Sequence, residues 1–325
     1  MSTYENLPLR GRPRKKRNLK RVIIGTCITI ICVVLLIVLG LSYYITNQLI
    51  HPEHKTITLQ PQSVGLTSTD VTFKSHDGNV NLKGWEMPAD VPTHKWFITS
   101  HGYKGDRLIW PTQGQPKGEP GLDFFKFLHH QGYNVLTFDY RNSGESGGQT
   151  TTVGFYEQQD LLGAIDHVLK QDPHAEIGLI GWSQGAATTL LTAHKSPAVK
   201  VAIADSSFSD LGTYLNTNLP KWSHLPSLPF NPLILDIWVP LMINVNPTSV
   251  SPIVEAGKFK GPLLLIASTD DHTIPYGNSQ LIYKDDPNKN VTFDTFHGPD
   301  HTMEFVDQPK KYEKDLLDFL AKSNF

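Results

Sequence analysis

Cysteine is nearly absent from this sequence. Cys27 and Cys32 are the only two, and both fall inside one apolar run. The rest of the chain therefore holds no disulfide, and roughly 275 residues can be stable on core burial alone. Neither cysteine follows a lipobox. An excess of basic charge is also missing. Lys and Arg number 29 against 31 Asp and Glu. Eight of the basic residues (Arg10, Arg12, Arg14, Lys15, Lys16, Arg17, Lys20, Arg21) and only one acid (Glu5) lie in residues 1–21. That leaves 21 basic against 30 acidic residues downstream, a net charge of −9. Such an acidic body lacks the basic surface that phosphates require, so no nucleic-acid partner is expected. Internal repeats are absent, which removes solenoids and propellers. Hydrophobic residues at 39% and charged residues at 18% exclude wholesale disorder, collagen and coiled coil.

Long apolar stretches are rare too, with one exception. Residues 22–41 read VIIGTCITIICVVLLIVLGL, twenty positions without a charge. At 1.5 Å per residue they span about 30 Å, the hydrocarbon thickness of a bilayer. A buried core helix would rarely be apolar all round for five turns. A cleaved signal peptide normally has an apolar region of about 7–15 residues, shorter than this one. The sequence around Val38 and Gly40 keeps cleavage open as an alternative. The preferred reading is an uncleaved signal anchor over residues 22–45, with Tyr43 and Tyr44 as interfacial aromatics. The basic tail 1–21 then holds the N-terminus in the cytoplasm, and everything past about residue 45 is outside. Residues 46–68 read as a polar lead-in.

From residue 69 onward, short apolar runs alternate with helical patterns. Strands are expected at 71–75, 80–87, 96–100, 133–138, 177–182, 199–204, 262–267 and 291–296, the first two as a hairpin around His76-Asp77-Gly78. Helices are expected at 122–131, 153–170, 184–194 and 310–321. Strands separated by helices imply βαβ units and a mostly parallel sheet covered on both faces. Residues 208–257 break this rhythm.

Gly181-Trp182-Ser183-Gln184-Gly185 follows a buried strand and precedes a small-residue helix. This strand–turn–helix context is what a nucleophile elbow needs. Ser183 is then the candidate nucleophile. A serine hydroxyl needs a base, and the base needs an orienting acid. Chain order Ser, Asp, His points beyond the strand at 262–267, where Asp270 and Asp271 compete. The spacing to Ile274-Pro275 favours Asp271, and Asp205 is a third option. His301, on the loop after the last strand, is the candidate base. His297 lies at the strand end and reads as structural. The two histidines are four apart, but Gly298 and Pro299 between them preclude one helical face carrying a metal pair, and no metal or cofactor is expected. Backbone N–H groups must receive the developing oxyanion. Candidates are Gln184, next after the serine, and Tyr103, in the loop His101-Gly102-Tyr103-Lys104-Gly105.

HGYKG, DYRNSGES, GWSQGA, STDDHTIP and GPDH together resemble the successive landmarks of the alpha/beta-hydrolase superfamily over about residues 65–325. The similarity is greatest to serine-aminopeptidase-like hydrolases with an N-terminal membrane anchor, a type described as bacterial cell-surface hydrolases. The resemblance implies an α/β-hydrolase fold over residues 69–325. It also implies Ser183, Asp271 and His301 as a triad, and Tyr103 and Gln184 as oxyanion donors. The superfamily includes peptidases, esterases, lipases and thioesterases, so substrate is not fixed by it. The expected activity is hydrolysis of a small-molecule or acyl substrate, most simply a carboxylic ester, by a membrane-anchored enzyme outside the cell. The alternatives are a peptidase of the same fold and a non-catalytic surface binding protein. An aminopeptidase would need a fixed acid for the substrate amine, and the sequence identifies none.

Residues 208–257 are expected to form a cap over Ser183. Between positions 211 and 250 only Lys221 and Asp236 are formally charged, while six prolines and Trp222, Phe230 and Trp238 occur there. Such a segment either lines an apolar acyl site or lies on the sheet or the membrane.

Overall fold

The computed structural model describes residues 19–110 and 119–325. Most of the basic tail 1–21 and part of the loop ending at Pro120 lie outside the described residues. Eight strands form one sheet: β1 Thr69–Lys74, β2 Asn81–Met87, β3 Lys95–Ser100, β4 Asn134–Phe138, β5 Glu176–Trp182, β6 Val199–Asp205, β7 Leu263–Ser268 and β8 Val291–Phe296. Their order is β1-β2-β4-β3-β5-β6-β7-β8. β1 pairs antiparallel with β2, and β2 with β4; the other five pairings are parallel. This is the α/β-hydrolase fold.

Alternation along each strand sends side chains to two cores. Phe97, Ile180 and Trp182 face the layer of helices Pro120–His130 and Pro309–Lys322, against Phe124, Leu128, Leu316 and Leu320. Ile98, Ile177 and Leu179 face helices Glu157–Gln171 and Gln184–Thr192, against Leu161, Ile165 and Leu190. The second of these layers differs from the sequence expectation in two places. The helix expected from 153 starts at Glu157, because the buried Glu157 carboxylate takes the backbone N–H groups of Thr152 and Gly154 and both threonine hydroxyls of Thr151 and Thr152. Those bonds fold 151–154 into a turn. Helix Gly277–Asp285 is absent from the sequence expectation, since only Ser279 and Ile282 of its nine residues are buried and its periodicity is faint.

Residues 208–257 form a third layer above the carboxyl ends of the strands. Helix Leu211–Ser223 starts on an Asp210 cap that accepts from the Thr213 N–H at 2.8 Å. Beyond it the chain is a string of short pieces: Ser227–Pro232, a π-helical turn Leu233–Trp238, Val239–Ile243 and Pro252–Ala256. The first three are contiguous, so that residues 227–243 form one helical run with Pro232 and Pro240 inside it, and the N–H groups these prolines lack are accommodated where the run passes through its π-helical turn. Phe208, Leu215, Leu219, Ile234, Leu235 and Val239 bury themselves together with Ile274 beneath the layer.

The N-terminal helix Leu19–Ile50 is long and apolar enough to span a membrane. It runs five residues past the expected span, and its final turns are docked rather than free. Val38, Ser42, Ile45 and Leu49 recur at helical spacing on one face and pack on the third layer. Trp238 donates its indole N–H to Ser42 Oγ at 3.0 Å and meets the Tyr43 ring edge-on at 5.4 Å. The Ile50 carbonyl accepts from the Thr151 N–H at 2.9 Å. Residues 46–68, expected to be a polar lead-in, likewise lie on the domain, with Pro52, Pro61 and Leu66 buried.

Candidate active site

β5 delivers the chain to Ser183 with a backbone of φ 56° and ψ −117°, a region non-glycine residues rarely enter. The turn is held by close backbone crossings. A Cβ on Gly181 would sit 2.2 Å from the Gly185 carbonyl oxygen, and one on Gly185 would sit 2.1 Å from the Ser100 carbonyl oxygen. Only glycine fits either position. The Ser183 N–H donates to the Asp205 carbonyl at 2.9 Å, which fixes the elbow to the neighbouring strand. Ser183 then stands at the start of helix Gln184–Thr192, whose first N–H groups have no partner within the helix.

His301 lies between Ser183 and Asp271. Its Nε2 is 2.8 Å from Ser183 Oγ, and its Nδ1 is 2.7 Å from Asp271 Oδ2. A carboxylate only accepts, so Nδ1 carries the proton and Nε2 is the acceptor for the serine hydroxyl. The Asp271 carboxylate is itself fixed, since Oδ1 accepts from the N–H groups of Thr273 and Ile274 at 2.8 and 2.7 Å. Two loops meet here, and Asp300 ties them: its Oδ1 accepts from the N–H of His301 at 2.8 Å and of His272 at 3.0 Å. The other candidates go elsewhere. Asp270 turns to the Gly298 N–H and the Thr269 hydroxyl. Asp205 is fully buried and accepts from the Tyr312 and Ser206 hydroxyls. His297 Nδ1 faces Thr269 Oγ1 at 2.9 Å.

The loop carrying Tyr103 passes directly beside the serine, with the Gly102 Cβ position 3.3 Å from Ser183 Cβ. Two tethers hold it there. His101 is buried; its Nδ1–H donates to the Gly102 carbonyl at 2.8 Å and its Nε2 accepts from the Tyr140 N–H at 3.0 Å. Burial pushes its pKa down, keeping the neutral ring that this pairing needs. The Tyr103 hydroxyl donates to the Leu49 carbonyl of the N-terminal helix at 2.7 Å. The His-Gly pair was legible as a landmark, whereas the tethering work of His101 carried no local signal.

Behind Asp271 lies a buried acid pair that chain reading missed. Ser206 Oγ links Asp205, at 3.0 Å, to Glu304, at 3.3 Å. Burial pushes the Glu304 carboxyl up to about 7, with the Asp271 carboxylate adding to the rise. Burial and the nearby Glu304 raise Asp205 as well.

A cavity of about 640 Å³ opens over the serine, within the size range of small-molecule sites. Phe208, Tyr214, Leu215, Leu219 and Trp222 line it from the third layer, Tyr103 and Ile274 from the loops. Trp222 and Trp238, expected to act alike, divide: Trp222 faces the cavity and Trp238 grips the N-terminal helix. One further side of the wall is unexpected. It comes from Tyr44, Ile45, Gln48 and Leu49 of that helix.

The profile of the prolyl oligopeptidase family matches residues 124–324, well over half of the chain. The chain belongs to the prolyl oligopeptidase family. As a member of that family it is a serine hydrolase, and both esterases and peptidases are among its relatives in structure. YqkD of Bacillus subtilis (strain 168) is 33% identical over 209 residues, covering 62% of this chain and 68% of YqkD. The Pyrococcus furiosus esterase Pf2001 superposes with a TM-score of 0.67 at 25% identity, covering 84% of this chain and 98% of the esterase. The Pyrococcus horikoshii acylaminoacyl peptidase has a TM-score of 0.58 at 23% identity, covering 79% of this chain and 42% of that one, a likeness of fold. In this prolyl oligopeptidase family member the matched region contains Ser183, Asp271 and His301, while Tyr103 and the N-terminal helix lie before it.

Proposed function

We propose that the protein is a membrane-anchored serine hydrolase that cleaves carboxylic esters outside the cell through an acyl-enzyme. The observation that carries this reading is the continuous relay of Ser183 Oγ, His301 and Asp271 beneath an apolar cavity. Ser183 Oγ attacks the ester carbonyl carbon while His301 Nε2 takes its proton. Asp271 holds the imidazole and stabilises the resulting imidazolium. The tetrahedral oxyanion accepts hydrogen bonds from the Gln184 and Tyr103 N–H groups. Collapse breaks the bond to the leaving oxygen, which receives the proton from His301 and departs as an alcohol. Water, deprotonated by the same histidine, then releases the acid and restores the serine.

An ester is favoured over a substrate with a free amine by the wall of the cavity. Among the described residues lining it, none is acidic, and Lys104 is the one permanent cation. A cationic amine finds no counter-charge there, while acyl methylenes are each worth up to about 0.8 kcal/mol on burial. The helix Leu19–Ile50 supplies the anchor in this reading, with the basic tail inside the cell.

Labelling intact cells with a membrane-impermeant fluorophosphonate tests nucleophile and sidedness together. Wild type should label and Ser183→Ala should not. Purified protein should hydrolyse p-nitrophenyl esters with kcat/KM rising from two to eight carbons, and Ser183→Ala and His301→Ala should each cut kcat by several orders of magnitude without adding when combined. A flat chain-length series would refute the apolar acyl site, and labelling of Ser183→Ala would refute the nucleophile.

A further inference from the structure

The third layer has an outer face as well as the inner one that lines the cavity. Leu228 and Leu241 are 74% and 72% exposed, and Ile237 is exposed four residues before Leu241. From residue 222 to 250 the sole formal charge is Asp236. Ile237 and Leu241 stand one helical turn apart, and an apolar outer face of this kind is normally covered by something. What covers them is set by the N-terminal helix. The apolar run ends at Leu41, and the next two residues, Ser42 and Tyr43, are those that grip Trp238. Trp238 lies between Ile237 and Leu241, so the docking contact holds this face at the level where the hydrocarbon ends.

The cavity is placed by the same helix. Its wall residues Tyr44, Ile45, Gln48 and Leu49 stand three to eight positions beyond Leu41. At 1.5 Å per residue that is about 4–12 Å above the hydrocarbon boundary, beginning within the headgroup layer. An ester carbonyl of a bilayer lipid lies at this depth, with its acyl chain below and its polar part above.

Accordingly, and resting on the ester-hydrolase reading above, we infer that the substrate is a long-chain acyl ester resident in the bilayer. It enters the cavity from the membrane side, along the wall that the N-terminal helix contributes, while the third layer beds Leu228, Ile237 and Leu241 in the lipid. Tyr44, Ile45, Gln48 and Leu49 are then substrate-guiding residues, and the membrane is both anchor and reservoir. Peripheral apolar faces bind bilayers by the area they bury, which makes this face the element to perturb.

The full-length protein reconstituted in phosphatidylcholine vesicles provides the test. Two probes are compared in the same vesicles: 4-methylumbelliferyl oleate dissolved in the bilayer and 4-methylumbelliferyl butyrate in the aqueous phase. The paired substitution Leu228→Glu with Leu241→Glu should lower turnover of the oleate by about tenfold or more, the loss expected when two leucines no longer partition into lipid. Turnover of the butyrate should stay within about twofold, which also reports that the variant is folded. Leu241→Phe should retain the oleate activity. Parallel loss of both activities in the glutamate variant, or no loss of either, overturns the proposal. So does a change of oligomeric state in that variant with an unchanged ratio of the two rates, which would assign the face to a second copy of the chain. Failure of wild type to hydrolyse butyrate beyond the Ser183→Ala background would instead overturn the ester-hydrolase reading itself.

Discussion

Asp270 and Asp271 are neighbours in the chain and serve different partners. Asp271 Oδ2 faces His301 Nδ1, while Asp270 is turned to the Gly298 N–H. Asp271→Asn should therefore slow ester turnover sharply with the fold intact, because an amide in that place stabilises the wrong imidazole tautomer. Asp270→Asn should stay near wild type. Kinetics on both variants, with circular dichroism to check folding, distinguish the two. Glu304 makes a second residue-scale prediction, on stability. Its carboxyl ordinarily titrates near 4.5 and is raised to about 7 by burial. A raised acid binds its proton more tightly in the folded state, so the stability it confers is full below about 4.5 and is lost as pH rises through about 7. Denaturant midpoints of wild type should fall across that window. Glu304→Gln, which cannot ionise, should flatten the decline, and an unchanged slope would mean that Glu304 titrates normally.

At the scale of elements, the elbow shows what a sequence can reveal. Gly181 and Gly185 are demanded because an added Cβ would stand 2.2 and 2.1 Å from a carbonyl oxygen, so local sterics write themselves directly into the chain. Gly185→Ala should force β3 and the elbow apart, with a loss of about 1–3 kcal/mol in stability and a larger proportional loss of activity. Gly277→Ala, at a helix start where nothing lies within 4 Å of the new Cβ, should leave activity alone and not lower stability. Strand positions and the loops carrying Ser183, Asp271 and His301 were legible because apolar runs and turn residues are local, whereas the order of the strands in the sheet is not. The docking of the N-terminal helix was not. Val38 looks no different from its apolar neighbours in the run, Ile45 and Leu49 follow beyond it with no partner written in the chain, and the face that packs is marked only by buried Ser42 and Thr46. His101 and Glu157 were equally silent, because their partners are brought to them by the fold.

For the whole molecule, the proposed orientation across a membrane is the property to measure. Protease added to intact protoplasts should remove the catalytic domain and leave a short N-terminal stub. A domain protected until lysis would reverse the proposed topology. The helix Leu19–Ile50 has a further consequence, which follows from its place in the cavity wall. Were the chain clipped just after residue 50, the shed part would keep Ser183, His301 and Asp271 but lose Tyr44, Ile45, Gln48 and Leu49 from one side of the site. It would also lose the Leu49 carbonyl that holds the Tyr103 hydroxyl, slackening the loop beside the nucleophile. A soluble fragment of this protein is thus a different catalyst, with an open-sided and less selective site. A substrate profile measured on the trimmed domain would therefore differ from that of the full chain.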